Sequence, residues 1–207
     1  ITETTHNSGF KPDQKRWFPD KIETVCRYHQ ELFTSLGVPI ELVPYDPQAQ
    51  PRPSRTAALK ALNLKPEQRH ILNVGLFTPE KNQGEVFEVA RMLPDVQFHF
   101  VGNQAGNFAG YWKPLMDDKP QNCTVWGERA DVERFYGAMD ALVFTSISEL
   151  APLVVKEALA WQMPVLMRNL PIYMGEYEGN PLVTFIDSDT TQTAQLLGGI
   201  VDRVKTR

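Results

Sequence analysis

The 207-residue sequence predicts an α/β protein built on a Rossmann-like parallel sheet flanked by helices. Three observations carry that prediction. Six runs of strand length follow residue 56, at Ile71 to Gly75, Val96 to Val101, Cys123 to Trp126, Ala141 to Thr145, Pro164 to Met167 and Leu182 to Ile186. They are apolar throughout rather than alternating, as strands are when both sheet faces are covered. The stretches between them have helical period, and strands that alternate with helices form parallel sheets.

In chain order, Ile1 to Thr5 reads as the middle of a strand, with no basic and apolar leader ahead of it, so a fragment or a processed chain is expected. A strand at Thr24 to Cys26, a helical stretch from Tyr28 to Leu36 ended by Gly37, and a strand at Ile40 to Val43 make one β-α-β unit. That unit is too small to stand alone. Residues 46–55 hold Pro47, Pro51 and Pro53 and little that is apolar, which reads as a linker. The expected organisation is therefore the end of one domain over 1–45, a linker over 46–55 and a second domain over 56–207. In the second domain Val86, Ala90 and Leu93 follow i, i+4, i+7. Val132, Phe135, Tyr136 and Met139 follow i, i+3, i+4, i+7 behind Asp131 as N-cap. A helix from about Thr191 to Lys205 closes the chain.

Composition excludes several function classes. With 42% apolar and 22% charged residues, the chain is neither disordered nor collagen-like. Lys plus Arg number 21 against 25 for Asp plus Glu, a formal charge of −4, so nucleic acid is not the expected main partner. The longest apolar stretch, Leu150 to Val155, contains Pro152 and falls far short of the roughly 20 residues that span a bilayer. Cys26 and Cys123 are too few for a disulfide framework or a thiolate zinc site. They read as buried thiols in strands, in a reducing compartment: the cytoplasm, with peripheral attachment to a membrane as a further option.

Ligands of open parallel sheets sit beyond the carboxyl ends of the strands, so chemistry is sought in the βα turns. In the turn Asn73 to Asn82, Thr78 suits an N-cap and Pro79 the first helical position, which puts Lys81 third in a helix. A cation there opposes the helix dipole by a few tenths to about 1 kcal/mol, unless a phosphate sits at that helix start. A solvated lysine beside Glu80 is the plain alternative. Gly75 stands alone, so the turn is neither a Walker loop nor G-x-G-x-x-G. In the turn from Ser146, Pro152 suits the first position of a helix whose amides on Leu153 and Val154 have no internal acceptor. Glu149 precedes that helix and Glu157 lies about one turn inside, so both carboxylates are expected to look into one crevice. Glu149 as a helix-dipole partner and Glu157 as a solvated helix residue are the alternatives.

Two glutamates separated by seven residues, followed by Ala-x-x-x-x-x-Pro-Val and preceded by Val-Gly-x-x-x-x-x-Lys-Asn, occur in that order between Ile71 and about Val165. The combination resembles the nucleotide-sugar-binding domain of the retaining glycosyltransferases of family 4, GT-B enzymes with two Rossmann domains facing across a cleft. The resemblance implies that Lys81 contacts the donor diphosphate, with Gly75 and the amides of Leu153 and Val154 beside it. Glu149 would lie near the donor-sugar hydroxyls, and Glu157 would bind the ribose diol. Thr4-Thr5-His6-Asn7-Ser8 is similar to a strand-end motif of the other, acceptor-binding domain, which would make His6 catalytic together with Lys81 and Glu149; a loop histidine of no special role is the alternative. His29, His70 and His99 show no ligand spacing and read as structural.

Two departures stand out. Leu76 occupies the place of a diphosphate-clamping Arg, for which Arg129 and Arg168 are candidate substitutes, and Leu150-Ala151-Pro152 replaces Gly-Phe-Gly. The function so implied is transfer of a sugar from a nucleotide diphosphate donor to a hydroxyl acceptor, a glycan or lipid-linked sugar, with retention. No metal and no cofactor besides the donor is expected, since Asp117-Asp118 belongs to no carboxylate cluster. An isolated fragment is expected to bind nucleotide weakly and transfer nothing. The alternatives are a non-catalytic module that binds a nucleotide sugar or a partner chain, and a GT-B-like epimerase of the nucleotide sugar.

Overall fold

The computed structural model describes residues 1–5, 11–45, 47, 52–173 and 175–204. Its strands form two parallel sheets. In the smaller, β1 (Thr2–Thr5), β2 (Lys21–Thr24) and β3 (Ile40–Leu42) lie side by side in chain order. Helix α1 (Arg27–Phe33) connects β2 to β3, and a 3-10 turn extends it to Gly37, whose φ of +70° suits a residue without a Cβ. Cys26, expected inside a strand, sits instead at the N-cap position of α1. It is buried in the core beneath the larger sheet, so the two sheets share packing.

The larger sheet contains β4 (Arg69–Val74), β5 (Val96–Val101), β6 (Cys123–Val125), β7 (Ala141–Phe144), β8 (Val165–Arg168) and β9 (Val183–Ile186). They lie in the order β6-β5-β4-β7-β8-β9, all parallel. All six apolar runs are thus strands of one sheet. The order reverses between β4 and β7, and that reversal is the topological switch point where such folds leave a crevice. Helices α3 (Gln83–Met92) and α7 (Thr190–Val204) cover one face, joined by α4 (Ala109–Asp117) through Trp112, Leu115 and Met116. The other face is covered by α2 (Arg55–Ala61), α5 (Val132–Ala138) and α6 (Leu153–Ala160). Side chains alternate between the two cores, Ile71 against Leu72 on β4 and Leu166 against Val165 and Met167 on β8. Both faces are buried, hence the unbroken apolar runs.

Several local expectations need correction. Residues 54–55, taken with the linker, begin α2: the Ser54 hydroxyl accepts from the Ala57 amide at 3.3 Å. Asp131 holds the N-cap position of α5, but its carboxylate turns to Arg129, at 2.8 and 2.9 Å, rather than to a helix amide. Asp46 and residues 48–51 of the linker lie outside the described residues. Both cysteines are free and buried, and burial pushes the Cys123 thiol up to about 12. No helix among the described residues is long and apolar enough to cross a membrane.

Candidate functional site

The two βα turns singled out from the sequence flank the switch point. β4 and β7 pair only at Ile71 with Ala141 and Leu72 with Leu142. Beyond that pairing the Asn73 side-chain amide bridges them, donating to the Val143 carbonyl at 2.8 Å. The turn after β4 also touches the turn after β5. A Cβ on Gly102 would stand 1.9 Å from the Gly75 carbonyl oxygen, so only glycine permits that approach.

Helix α3 starts at Gln83 and not at Pro79, so Lys81 is not a first-turn residue and the dipole argument for it does not hold. Thr78 instead closes a separate turn. Its carbonyl accepts from the amides of Lys81 at 3.1 Å and Asn82 at 3.2 Å, and its hydroxyl accepts from the Lys81 amide at 3.3 Å. Asn82, at φ +54°, then redirects the chain into α3; asparagine tolerates that left-handed conformation better than most residues. The loop after β7 clamps this turn. The Ile147 amide and the Ser146 hydroxyl donate to the Glu80 carbonyl at 2.8 and 3.0 Å, and the Thr145 hydroxyl reaches the carbonyls of Lys81 and Asn82.

This clamping brings Lys81 to Glu149. The lysine stem lies against Gly75, and its ammonium sits 5.5 Å from the Phe144 ring centroid and forms an ion pair with Glu149 Oε1. The same oxygen accepts from the Ser146 hydroxyl at 2.8 Å. Pro152 is the N-cap of α6 rather than its first residue, so the first turn begins at Leu153. The Pro152 carbonyl accepts from the amides of Val155 and Lys156, while those of Leu153 and Val154 stand at helix positions without an internal acceptor. Leu150, whose bulk replaces a glycine of the resembling family, is buried in the core on the α6 side.

Glu157 has a different surrounding. Its Oε2 accepts from the Tyr136 hydroxyl at 2.7 Å, and it lines a cleft of about 500 Å³ together with Tyr45, Arg52, Ala130 and Trp161. Burial first, and then the Glu157 charge, push the Tyr136 phenol well above its usual range. The two glutamates therefore have separate partners. Neither substitute arginine is free: Arg129 is paired with Asp131, and Arg168, at the end of β8, is paired with Glu85 on α3. His6 lies outside the described residues. No group of three or more His, Cys, Asp or Glu side chains that could hold a metal ion occurs among the described residues.

His70 and His99 form a buried chain that sequence spacing did not reveal. The Trp126 indole donates to His99 Nδ1 at 3.1 Å, His99 Nε2 meets His70 Nδ1 at 3.0 Å, and His70 Nε2 meets the Lys65 carbonyl at 2.8 Å. Only one arrangement satisfies every member: both rings neutral, each carrying its proton on Nε2. Burial, reinforced by His70, lowers His99 to about 3. Gly102, Ser146 and Tyr136 were also missed as site-supporting residues. A lone glycine directly after a strand was a usable signal for Gly102; the serine and tyrosine carried none.

Residues 54–179 match the family described as Glycosyl transferases group 1. A processive diacylglycerol alpha-glucosyltransferase of Acholeplasma laidlawii is 29% identical over 164 residues, covering 74% of this chain and 49% of the relative. An alpha-galactosylglucosyldiacylglycerol synthase of Streptococcus pneumoniae (strain ATCC BAA-255 / R6) is 26% identical over 166 residues, covering 72% and 44%. The chain thus spans about half the length of the curated relatives it matches. Among solved structures, Anabaena HepE in complex with UDP and glucose superposes with a TM-score of 0.83 at 16% identity, over 99% of this chain and 62% of that one. Sucrose-phosphate synthase from Thermosynechococcus elongatus gives 0.81 at 17% identity, over 97% and 58%. At such identities the likeness is one of fold.

Proposed function

The chain belongs to the glycosyl transferases group 1 family, and from that premise we propose that it is the donor-binding part of a retaining glycosyltransferase that uses a UDP-sugar and a lipid hydroxyl acceptor. The observation that carries this reading is the meeting of Lys81 with the loop leading into α6, beside the switch point of the larger sheet. In this reading the Lys81 ammonium and the amides of Leu153 and Val154 hold the diphosphate, with Gly75 beside them. Glu149 accepts from hydroxyls of the donor sugar and Glu157 from the ribose diol, since an ionised carboxylate only accepts and each hydroxyl has a proton to donate. The bond between the anomeric carbon and the diphosphate oxygen breaks, and the acceptor oxygen bonds to that carbon on the same face. The acceptor proton leaves with the diphosphate. Negative charge grows on the departing group, where a preorganised cation and helix start act most strongly.

The UDP assignment is supported by the solved relatives described with UDP or UDP-glucose. The lipid acceptor is supported by the names of the two diacylglycerol glycolipid enzymes, and it implies work at a membrane surface. We take residues 1–45 as the end of the acceptor domain, 46–53 as the connection and 54–207 as the donor domain, and assign His6 the catalytic role that the resemblance implies. Nucleotide binding is proposed of this chain, and transfer of the whole protein. Calorimetric titration of UDP, GDP and ADP into the chain and into Lys81→Ala and Glu157→Ala tests the reading. UDP is expected to bind most tightly and both variants to bind it less well. Equal affinity in all three proteins would end the assignment of those two residues. In the same titration EDTA is expected to change nothing, because no divalent ion is assigned a part.

A further inference from the structure

Arg168 ends β8, the strand beside β7, and strand alternation turns it with Leu166 toward the face covered by α3 and α7. There it pairs with Glu85 in the first turn of α3. The pair is shielded from water, with the Arg168 side chain 8% and the Glu85 side chain 10% exposed. It is also incompletely satisfied. Arg168 Nε and Nη1 and Glu85 Oε1 are buried with no hydrogen-bond partner among the described residues. A pair of this kind recovers little of the cost of taking two charges out of water, and apolar residues of similar size serve stability as well or better. Stability alone does not account for these two charges.

The carboxylate does hold something else. Glu85 Oε2 accepts from the Asn82 side-chain amide at 2.7 Å as well as from Arg168, and the Asn82 carbonyl accepts from the Glu85 amide at 3.2 Å. Asn82 is therefore tied to α3 through its side chain at the point where its backbone, at φ +54°, turns the chain into that helix. Lys81 is the preceding residue. The Thr145 hydroxyl reaches the carbonyls of Lys81 and Asn82 at 3.2 and 3.0 Å, and the lysine stem lies against Gly75. We propose that Arg168 is a positioning residue for donor binding: it pins the Glu85 carboxylate, Glu85 pins the Asn82 side chain, and Asn82 sets the turn that aims Lys81 at the diphosphate. Bonds to an ionised group are the stronger ones, which is the use of a charge at residue 85. Arg168 then serves the diphosphate without touching it. The inference rests on the diphosphate role proposed for Lys81 and extends it to a buried ion pair on the α3 face of the sheet.

The test reads UDP affinity and Tm together on the 207-residue chain. Glu85→Met combined with Arg168→Met removes both charges at once, so Tm should be unchanged or raised. UDP should nevertheless bind about fivefold more weakly, the effect of one net hydrogen bond. In the Lys81→Ala background the same pair of substitutions should cost UDP nothing further. Arg168→Lys, which keeps a cation on Glu85, should hold UDP affinity within about twofold of the parent chain. Undiminished UDP affinity in the paired methionine variant, an equal loss in the Lys81→Ala background, or a fivefold loss in Arg168→Lys would each overturn the assignment. If Lys81→Ala keeps full UDP affinity, the diphosphate role itself fails, which is a separate result and takes the inference with it. Should the paired variant not fold, Asn82→Gly decides, because glycine accepts a φ of +54° and lacks the side chain that Glu85 holds. An intact Tm with UDP about fivefold weaker supports the relay, and unchanged UDP binding refutes it.

Discussion

The β5–β6 side of the larger sheet and the crevice between β4 and β7 both bury polar side chains, and they do so in opposite ways. On the first, Trp126, His99, His70 and the Lys65 carbonyl form a chain in which each donor meets an acceptor and no charge is needed. In the second, a cation and an anion face each other ahead of a helix start with open amides. A closed set of hydrogen bonds fixes structure and has nothing left to offer a ligand. An open set retains binding capacity. By that criterion the four-member chain is architecture, although histidines are frequent in sites, and the crevice with Lys81 and Glu149 is where we propose that the donor binds.

Gly102→Ala should have the largest effect, because its Cβ would collide with the Gly75 backbone between the two regions. A loss of about 4 kcal/mol in chemical denaturation is expected, at the upper end for single substitutions, together with weaker UDP binding. Unaltered stability would mean that the β4 and β5 turns are not in contact. Lys81→Ala comes next: about 2 kcal/mol of UDP affinity is lost, as for a hydrogen bond to a charged group, and stability falls as well, because the largely buried Glu149 loses its cation. His99→Leu should act on stability alone. It leaves the Trp126 and His70 ends unpartnered, costing about 2 kcal/mol of stability with UDP affinity unchanged. A His99→Leu chain that folded normally but lost UDP would erase the distinction between the regions.

A further effect is graded with pH. Burial holds His99 down to about 3 and lowers His70 as well, against about 6.5 in an unfolded chain. Between those values the unfolded state binds the additional protons, so stability rises with pH. For His99 the contribution is complete above about pH 6.5 and is lost as pH falls toward 3, by up to about 1.4 kcal/mol per unit, and His70 adds in the same direction. Denaturation midpoints measured from pH 7 to 4 should flatten in His99→Leu. An identical slope in both proteins would mean that the rings titrate normally.

The sequence by itself determined the alternation of strands and helices, since an apolar run or a 3.6-residue period is a property of consecutive residues. It also marked the two turns and Lys81, Glu149 and Glu157, because turn residues and charges at strand ends are visible locally. It misjudged the start of α3, where Thr78 and Pro79 look like a helix cap. There the loop after β7 draws the carbonyls of Glu80, Lys81 and Asn82 into bonds with Ile147, Ser146 and Thr145. Only the tertiary structure decided that Lys81 meets Glu149, 68 residues away, that Glu157 belongs to Tyr136, and that two histidines 29 residues apart share a proton-ordered chain. The reason is geometric: strand order in a parallel sheet is set by packing across the whole layer, so which side chains meet at a switch point is not written in any local stretch of the chain.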